Sequence, residues 1–203
     1  METIERVIND EWEMFAKTQN VGGRANCQSN RPKFFVMRRC QLSAWPDVLV
    51  ESYLSDLKEA RLNGRNLIAE KYGYMMAQTY PAEYAMIADQ LPEISDEKRK
   101  LIEEICAYQK NELEALTARY PVVTSCGRPV TQGKSRQAAF ETYLFGELAT
   151  YSLTTVNLYK RFVKLMHRNG LNLTERILTN EMQAYGYRSL DDAEQALSKQ
   201  RQA

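Results

Sequence analysis

Five stretches of this 203-residue chain repeat apolar residues every three or four positions, and each carries a charged or amide side chain inside that stripe. Residues spaced this way share one face of a helix. The first stripe is Ile4, Ile8, Glu11, Phe15 and Thr18, and the second is Phe34, Arg38, Gln41 and Trp45. The third is Leu49, Tyr53, Asp56 and Ala60, and the fourth is Leu101, Ile105, Tyr108, Glu112 and Leu116. The fifth runs Phe140, Leu144, Glu147, Tyr151, Leu158, Phe162 and Leu165. A carboxylate in an apolar interior is costly unless it is paired, protonated, ligand-bound or wet. The chain must therefore bring these groups together or line a cavity with them.

Punctuation is sparse, with 9 glycines and 6 prolines, and helical periodicity fills the gaps. The pattern predicts helices over about 4–18, 33–45, 46–62 and 66–78, a short one after Pro81, and one from Ser95 to about Arg119. The longest is expected from about Gln137 to His167, followed by two shorter ones. Asn63-Gly64 and Asn169-Gly170 read as helix stops, and Ser95 and Ser189 as helix starts. The expected fold is all-α: a single-domain irregular bundle of about seven to nine helices over residues 1–198, with 199–203 as a loose tail. The runs Pro121-Val-Val-Thr-Ser and Phe34-Phe-Val-Met are too short to build a sheet.

Lys+Arg total 27 against Asp+Glu 26, a balance that argues against a domain built to grip nucleic acid or an anionic membrane. No apolar run approaches the ~20 residues of a membrane span. Acidic residues interrupt the N-terminal stretch METIERVINDEWEMF, so it does not read as a targeting peptide. Four scattered cysteines without C-x-x-C spacing, and one histidine, give no zinc signature. The expectation is a cytoplasmic protein with reduced thiols. No Glu-x-x-His motif supports a ferritin-like metal pair, although an all-carboxylate magnesium or manganese site stays open. The residues specify no cofactor.

Two readings of the interior follow. In one, the polar groups line an interhelical pocket for a small molecule, as helix bundles commonly arrange. Glu11, Asp56 and Glu147 would then act as acids, bases or cation acceptors, with Glu112 beside them. Arg24 and Arg38 would orient an anionic group, and Tyr53, Tyr143 and Tyr151 would supply hydroxyls. The excess of carboxylates would suit an amine-bearing or zwitterionic ligand. In the other, the same groups form a satisfied structural network, such as Arg38 with Glu11 or Asp56, inside a helical interaction module or homodimer.

The stretch Gln19-Asn-Val-Gly-Gly-Arg-Ala-Asn-Cys-Gln28 lies between the helices carrying Glu11 and Arg38-x-x-Gln41, so it reads as a pocket-lining loop more than a linker. Cys27 is its candidate nucleophile, although a small buried thiol is the plainer reading. Gln28 is a candidate ligand contact. Gly64-Arg65-Asn66, ahead of Glu70-Lys71-Tyr72, is a second rim, with Arg65 and Asn66 as candidate contacts.

Five strings carry a family resemblance: EWEMF at 11–15, GGRANCQ at 22–28, GRNL at 64–67, EKY at 70–72 and FETYLFGELATYS at 140–152. Together they resemble a bacterial family of uncharacterised proteins catalogued as domain of unknown function 4125. The resemblance covers about Ile4 to Ala193. It implies a bacterial, cytoplasmic, helical protein and brings no activity and no catalytic residue with it.

Overall fold

The computed structural model describes residues 1–19, 26–131 and 138–202. Among them are eleven α-helices and no strand. The first four are α1 (Glu2–Lys17), α2 (Arg31–Leu42), α3 (Asp47–Leu62) and α4 (Leu67–Thr79). A short α5 (Pro81–Ala85) leads to the longest helix, α6 (Asp96–Arg119), and the single-turn α7 (Pro121–Thr124). The chain ends with α8 (Phe140–Thr150), α9 (Leu153–Arg168), α10 (Leu173–Ala184) and α11 (Leu190–Gln202).

Local chemistry sets the boundaries. Side chains of Asn30, Asn66, Ser95, Ser152 and Asn172 each accept a hydrogen bond from the amide three residues on, satisfying a donor that the first helical turn cannot. Gly64 and Gly170 follow α3 and α9 with φ of 66° and 68°, the left-handed conformation in which the Asn-Gly pairs end their helices.

The expected helix over 137–167 is two helices. Tyr151 and Ser152 leave the helical conformation with ψ of 153° and 157°, and Ser152 caps α9. Asp56 of α3 holds the break, its Oδ2 accepting from the Ser152 amide at 2.9 Å. The bend also shifts the phase of the buried face. Past it, Val156, Tyr159, Val163 and Met166 are buried, while Leu165, expected in the stripe, is 57% exposed. This break and the single-turn α7 account for more helices than the periodicity predicts.

The main apolar core takes Val7, Ile8 and Phe15 from α1, Leu49, Tyr53 and Leu57 from α3, Ile102 and Ile105 from α6, and Leu148 from α8. A smaller cluster of Leu116, Tyr120, Val123, Met182, Leu190 and Ala193 ties α7, α10 and α11 to the end of α6. Helices α8 and α4 approach closely at Gly146 of α8. A Cβ there would sit 2.8 Å from the Lys71 carbonyl oxygen and 2.7 Å from Met75 Cγ on α4. Glycine therefore lets α8 lie against α4 at the turn that carries Lys71, one residue before Glu147.

Candidate functional site

Polar residues from α1, α2, α3, α4 and α8 meet inside the bundle. The Arg38 guanidinium donates to both Glu11 oxygens, Nε at 2.7 Å and Nη2 at 2.5 Å, in the bidentate fork that arginine geometry favours. Its Nη1 donates to Gln41 Oε1 at 2.6 Å and to Glu147 Oε1 at 2.9 Å. The other Glu147 oxygen accepts from Lys71 Nζ at 2.6 Å. Tyr53 donates to Glu11 at 2.7 Å, and Tyr151, at the α8–α9 bend, donates to Glu147 at 2.9 Å. Glu11, Arg38, Lys71 and Glu147 are between 1% and 6% exposed. Two carboxylates face two cations, and no buried side-chain nitrogen or oxygen of this group lacks a partner. Direct bonds, not a cavity, fill the space.

Electrostatics follow from that pairing. Burial pushes the Glu147 carboxyl up, but Arg38 and Lys71 outweigh it and hold the group well below the usual carboxylate range. Burial likewise works against the charges of Arg38 and Lys71, and the facing carboxylates still hold both above their ordinary values. The Tyr53 and Tyr151 phenols are pushed up, first by burial and then by Glu11 and Glu147 respectively. Arg38, Lys71 and Glu147 keep their charges across the neutral range, and both phenols remain hydrogen-bond donors.

Of the residues expected to converge, Glu11, Arg38, Gln41, Tyr53, Glu147 and Tyr151 do. Lys71 joins them without having been singled out. It occupies the stripe Leu67, Lys71, Met75, spaced by four on α4, so the same periodicity could have found it. Tyr143 stands at the edge of the group, with Lys71 Nζ 3.6 Å and the Arg128 guanidinium 3.9 Å from its ring centre.

Other candidates sit elsewhere. Asp56 caps α9 at the bend. Glu112 flanks the buried stripe of α6, Ile102, Ile105, Gln109, Leu113 and Leu116, and no bond joins it to the network among the described residues. Burial raises the Glu112 carboxyl to about 7, and its Oε2 is buried without a partner among the described residues. Gln28 is buried and donates to the carbonyls of Phe15 and Thr18, tying off the end of α1. Asn66 caps α4 and donates to the Met14 carbonyl, while Arg65 forms a bidentate pair with Glu70. Arg24 and the Cys27 side chain lie outside the described residues.

Next to the network, on the far side of Tyr151, a polar cleft of about 240 Å³ opens between α3, α4, the start of α6 and the α8–α9 bend. Asp56, Glu59, Arg65, Glu93, Lys98 and Ser152 are among its lining residues. Lys98 donates to the Ala149 carbonyl at 2.6 Å, near the C-terminus of α8, where a cation is favoured. Burial nonetheless lowers its ammonium to about 8. Among the described residues, no three His, Cys, Asp or Glu side chains are grouped to hold a metal ion. No described helix is long and apolar enough to cross a membrane.

Helices clamped around a neutral set of buried charges, with a polar cleft alongside, define an all-α bundle with a paired ionic core. The chain belongs to the family described as "Protein of unknown function (DUF4125)", whose model matches residues 1–195. No curated protein and no solved structure matches it.

Proposed function

We propose that the protein is a helical binding domain for a small amine-bearing or zwitterionic ligand, received by the cleft beside the buried network. The observation that supports this reading is the cleft's wall. Three carboxylates, Asp56, Glu59 and Glu93, stand beside a single arginine already engaged by Glu70. Asp56 uses one oxygen on the Ser152 amide, and its Oδ1 makes no hydrogen bond among the described residues. An ammonium group fits that surplus of acceptors, and Lys98 or Ser152 could meet an accompanying carboxylate. The paired core would then serve as the frame that fixes the cleft's walls, not as the reacting centre.

The experiment is calorimetry and thermal shift against amino acids, polyamines, nucleotides and divalent metals. An amine should raise the melting temperature as its concentration rises. The double variant Glu59→Gln, Glu93→Gln, altering two exposed side chains, should weaken that response at least tenfold. A response confined to nucleotides or metals, or one untouched by the double variant, would overturn the proposal.

The complete pairing of the network favours a second reading, a helical interaction module whose core needs no ligand. In that case no compound shifts the melting temperature, and sedimentation shows self-association as the protein is concentrated.

A further inference from the structure

Lys71 is buried and Lys98 half-buried, and their surroundings differ in kind. Lys71 meets a carboxylate, as do Lys110 and Lys160 in their ion pairs with Glu141 and Glu104. Lys98 makes no ion pair among the described residues; its hydrogen bond goes to a neutral carbonyl. It also sits in the first turn of α6, where the helix's positive end disfavours a second positive charge. Its amine lines a cleft with room for a small molecule.

We propose that Lys98 is a reactive amine that condenses with small aldehydes entering this cleft. The neutral amine's lone pair attacks the carbonyl carbon, and the C=O π pair moves to oxygen, which takes a proton. The nitrogen loses a proton to give the neutral carbinolamine. Its hydroxyl takes a second proton and leaves as water as the nitrogen lone pair forms the C=N bond, and loss of the remaining N–H proton returns that proton and leaves the imine on Nζ. Oxidation states are unchanged, and no further reactant is consumed. The inference rests on the cleft admitting small molecules, as the binding reading does, but it does not require an amine-bearing ligand.

The electrostatic surroundings support it. Desolvation is the largest influence on Lys98 and lowers its pKa to about 8, against the pull of Asp56 from α3 and Glu70 from α4 and with the push of Arg65. Glu59 on α3, Tyr74 on α4, Glu93 just before α6 and Tyr151 at the bend are the other titratable groups lining the cleft. At pH 7.4 roughly a fifth of such an amine is neutral, against about one part in a thousand for an ordinary lysine. Burial of this kind is how lysines become Schiff-base formers.

The test uses the intact protein with limiting formaldehyde and cyanoborohydride, followed by peptide mass mapping over pH 6–10. Lys98 should be methylated at least tenfold faster than the exposed Lys58 and Lys199, with a rate midpoint near 8. Labelling no faster than those two, or with a midpoint above 10, overturns the proposal. The wild-type readout requires no variant to fold; Lys98→Arg should additionally abolish the fast phase. If Lys98 labels fast while the amine panel produces no thermal shift, the reactive lysine stands and the amine-binding reading falls. If an amine binds while Lys98 labels slowly, the reverse holds.

Discussion

Lys71 and Lys98 separate two uses of a buried cation. The bundle takes Lys71 fully and Lys98 partly out of water, yet the deeper one is held above its ordinary pKa and the other falls to about 8. The difference is a partner. Glu147 lies 2.6 Å from Lys71, and a peptide carbonyl lies at the same distance from Lys98. A carbonyl dipole returns less of the desolvation penalty than a full negative charge does. Depth of burial therefore does not decide whether a charge is stable; the charge facing it does. The network's cations each meet a carboxylate, whereas Lys98 in the cleft makes no ion pair among the described residues.

The largest blow to this contrast is Glu147→Gln, which leaves Arg38 and Lys71 facing a single carboxylate. Urea denaturation should show a loss of about 3–5 kcal/mol. Glu147 also gives the network an acid limit. Its folded pKa is depressed, so its contribution is present above the unfolded value of about 4.3 and is lost as pH falls toward the folded one.

Next is Gly146→Ala, which forces α4 and α8 apart where Lys71 meets Glu147. A cost of about 1–3 kcal/mol is expected by thermal melting, after any gain from alanine's helix propensity. Were it neutral, the close approach would not govern the pair.

Lys98→Met should cost about 1 kcal/mol or less, one hydrogen bond to a carbonyl, whereas Lys71→Met should cost several times more. The pH dependence has the same sign as that of Glu147, stability rising with pH, but here the rise is the relief of a penalty instead of the gain of a favourable pairing. Because the folded pKa of Lys98 is lowered, its penalty is full below 8 and fades as pH rises toward the unfolded value of about 10.4. Stability in Lys98→Met should accordingly lack the rise that the parent gains over that window.

The smallest expected effect is at Glu181 on α10, whose carboxyl burial raises to about 7. A raised acid costs stability as pH climbs from about 4.3 to 7 and stays costly above that. Glu181→Gln should match the parent near pH 4 and exceed it by about 1 kcal/mol at pH 8, after allowance for the part of the side chain left in solvent.

Much of the network was legible from spacing. Glu11, Arg38, Tyr53 and Glu147 sit at helical intervals among apolar neighbours, so their convergence followed from periodicity, while the choice between direct pairing and a pocket did not. Lys71 was not picked out, although it lies inside the helix expected over 66–78 and Leu67, Lys71 and Met75 repeat every fourth residue. Glu112 lies at the edge of the buried face of α6 and does not join the network, since apolar residues at both 101 and 102 allow two phases and packing against α8, α9 and α10 selects the one centred nearer Ile102. Asp56 shared a stripe with Tyr53, but its partner is the Ser152 amide, which becomes available only where the helix breaks. That break carried a signal in Ser152 and Thr155, a capping serine with its bonding partner three residues on. The cleft depends on the bend and on α6 crossing beneath it, and no single segment's pattern encodes either.

The separation of the network's members along the chain has a consequence for synthesis. Arg38 and Glu11 are 27 residues apart, while Arg38 and Lys71 stand 109 and 76 residues from Glu147. A nascent chain thus holds two cations and one anion meant for a dry interior until α8 leaves the ribosome. The early helices must stay hydrated, sealing only when the last carboxylate arrives. Limited proteolysis of length-staged nascent chains should show α2 becoming resistant in one step, after residue 150 has emerged, and gradual protection before that point would refute this order.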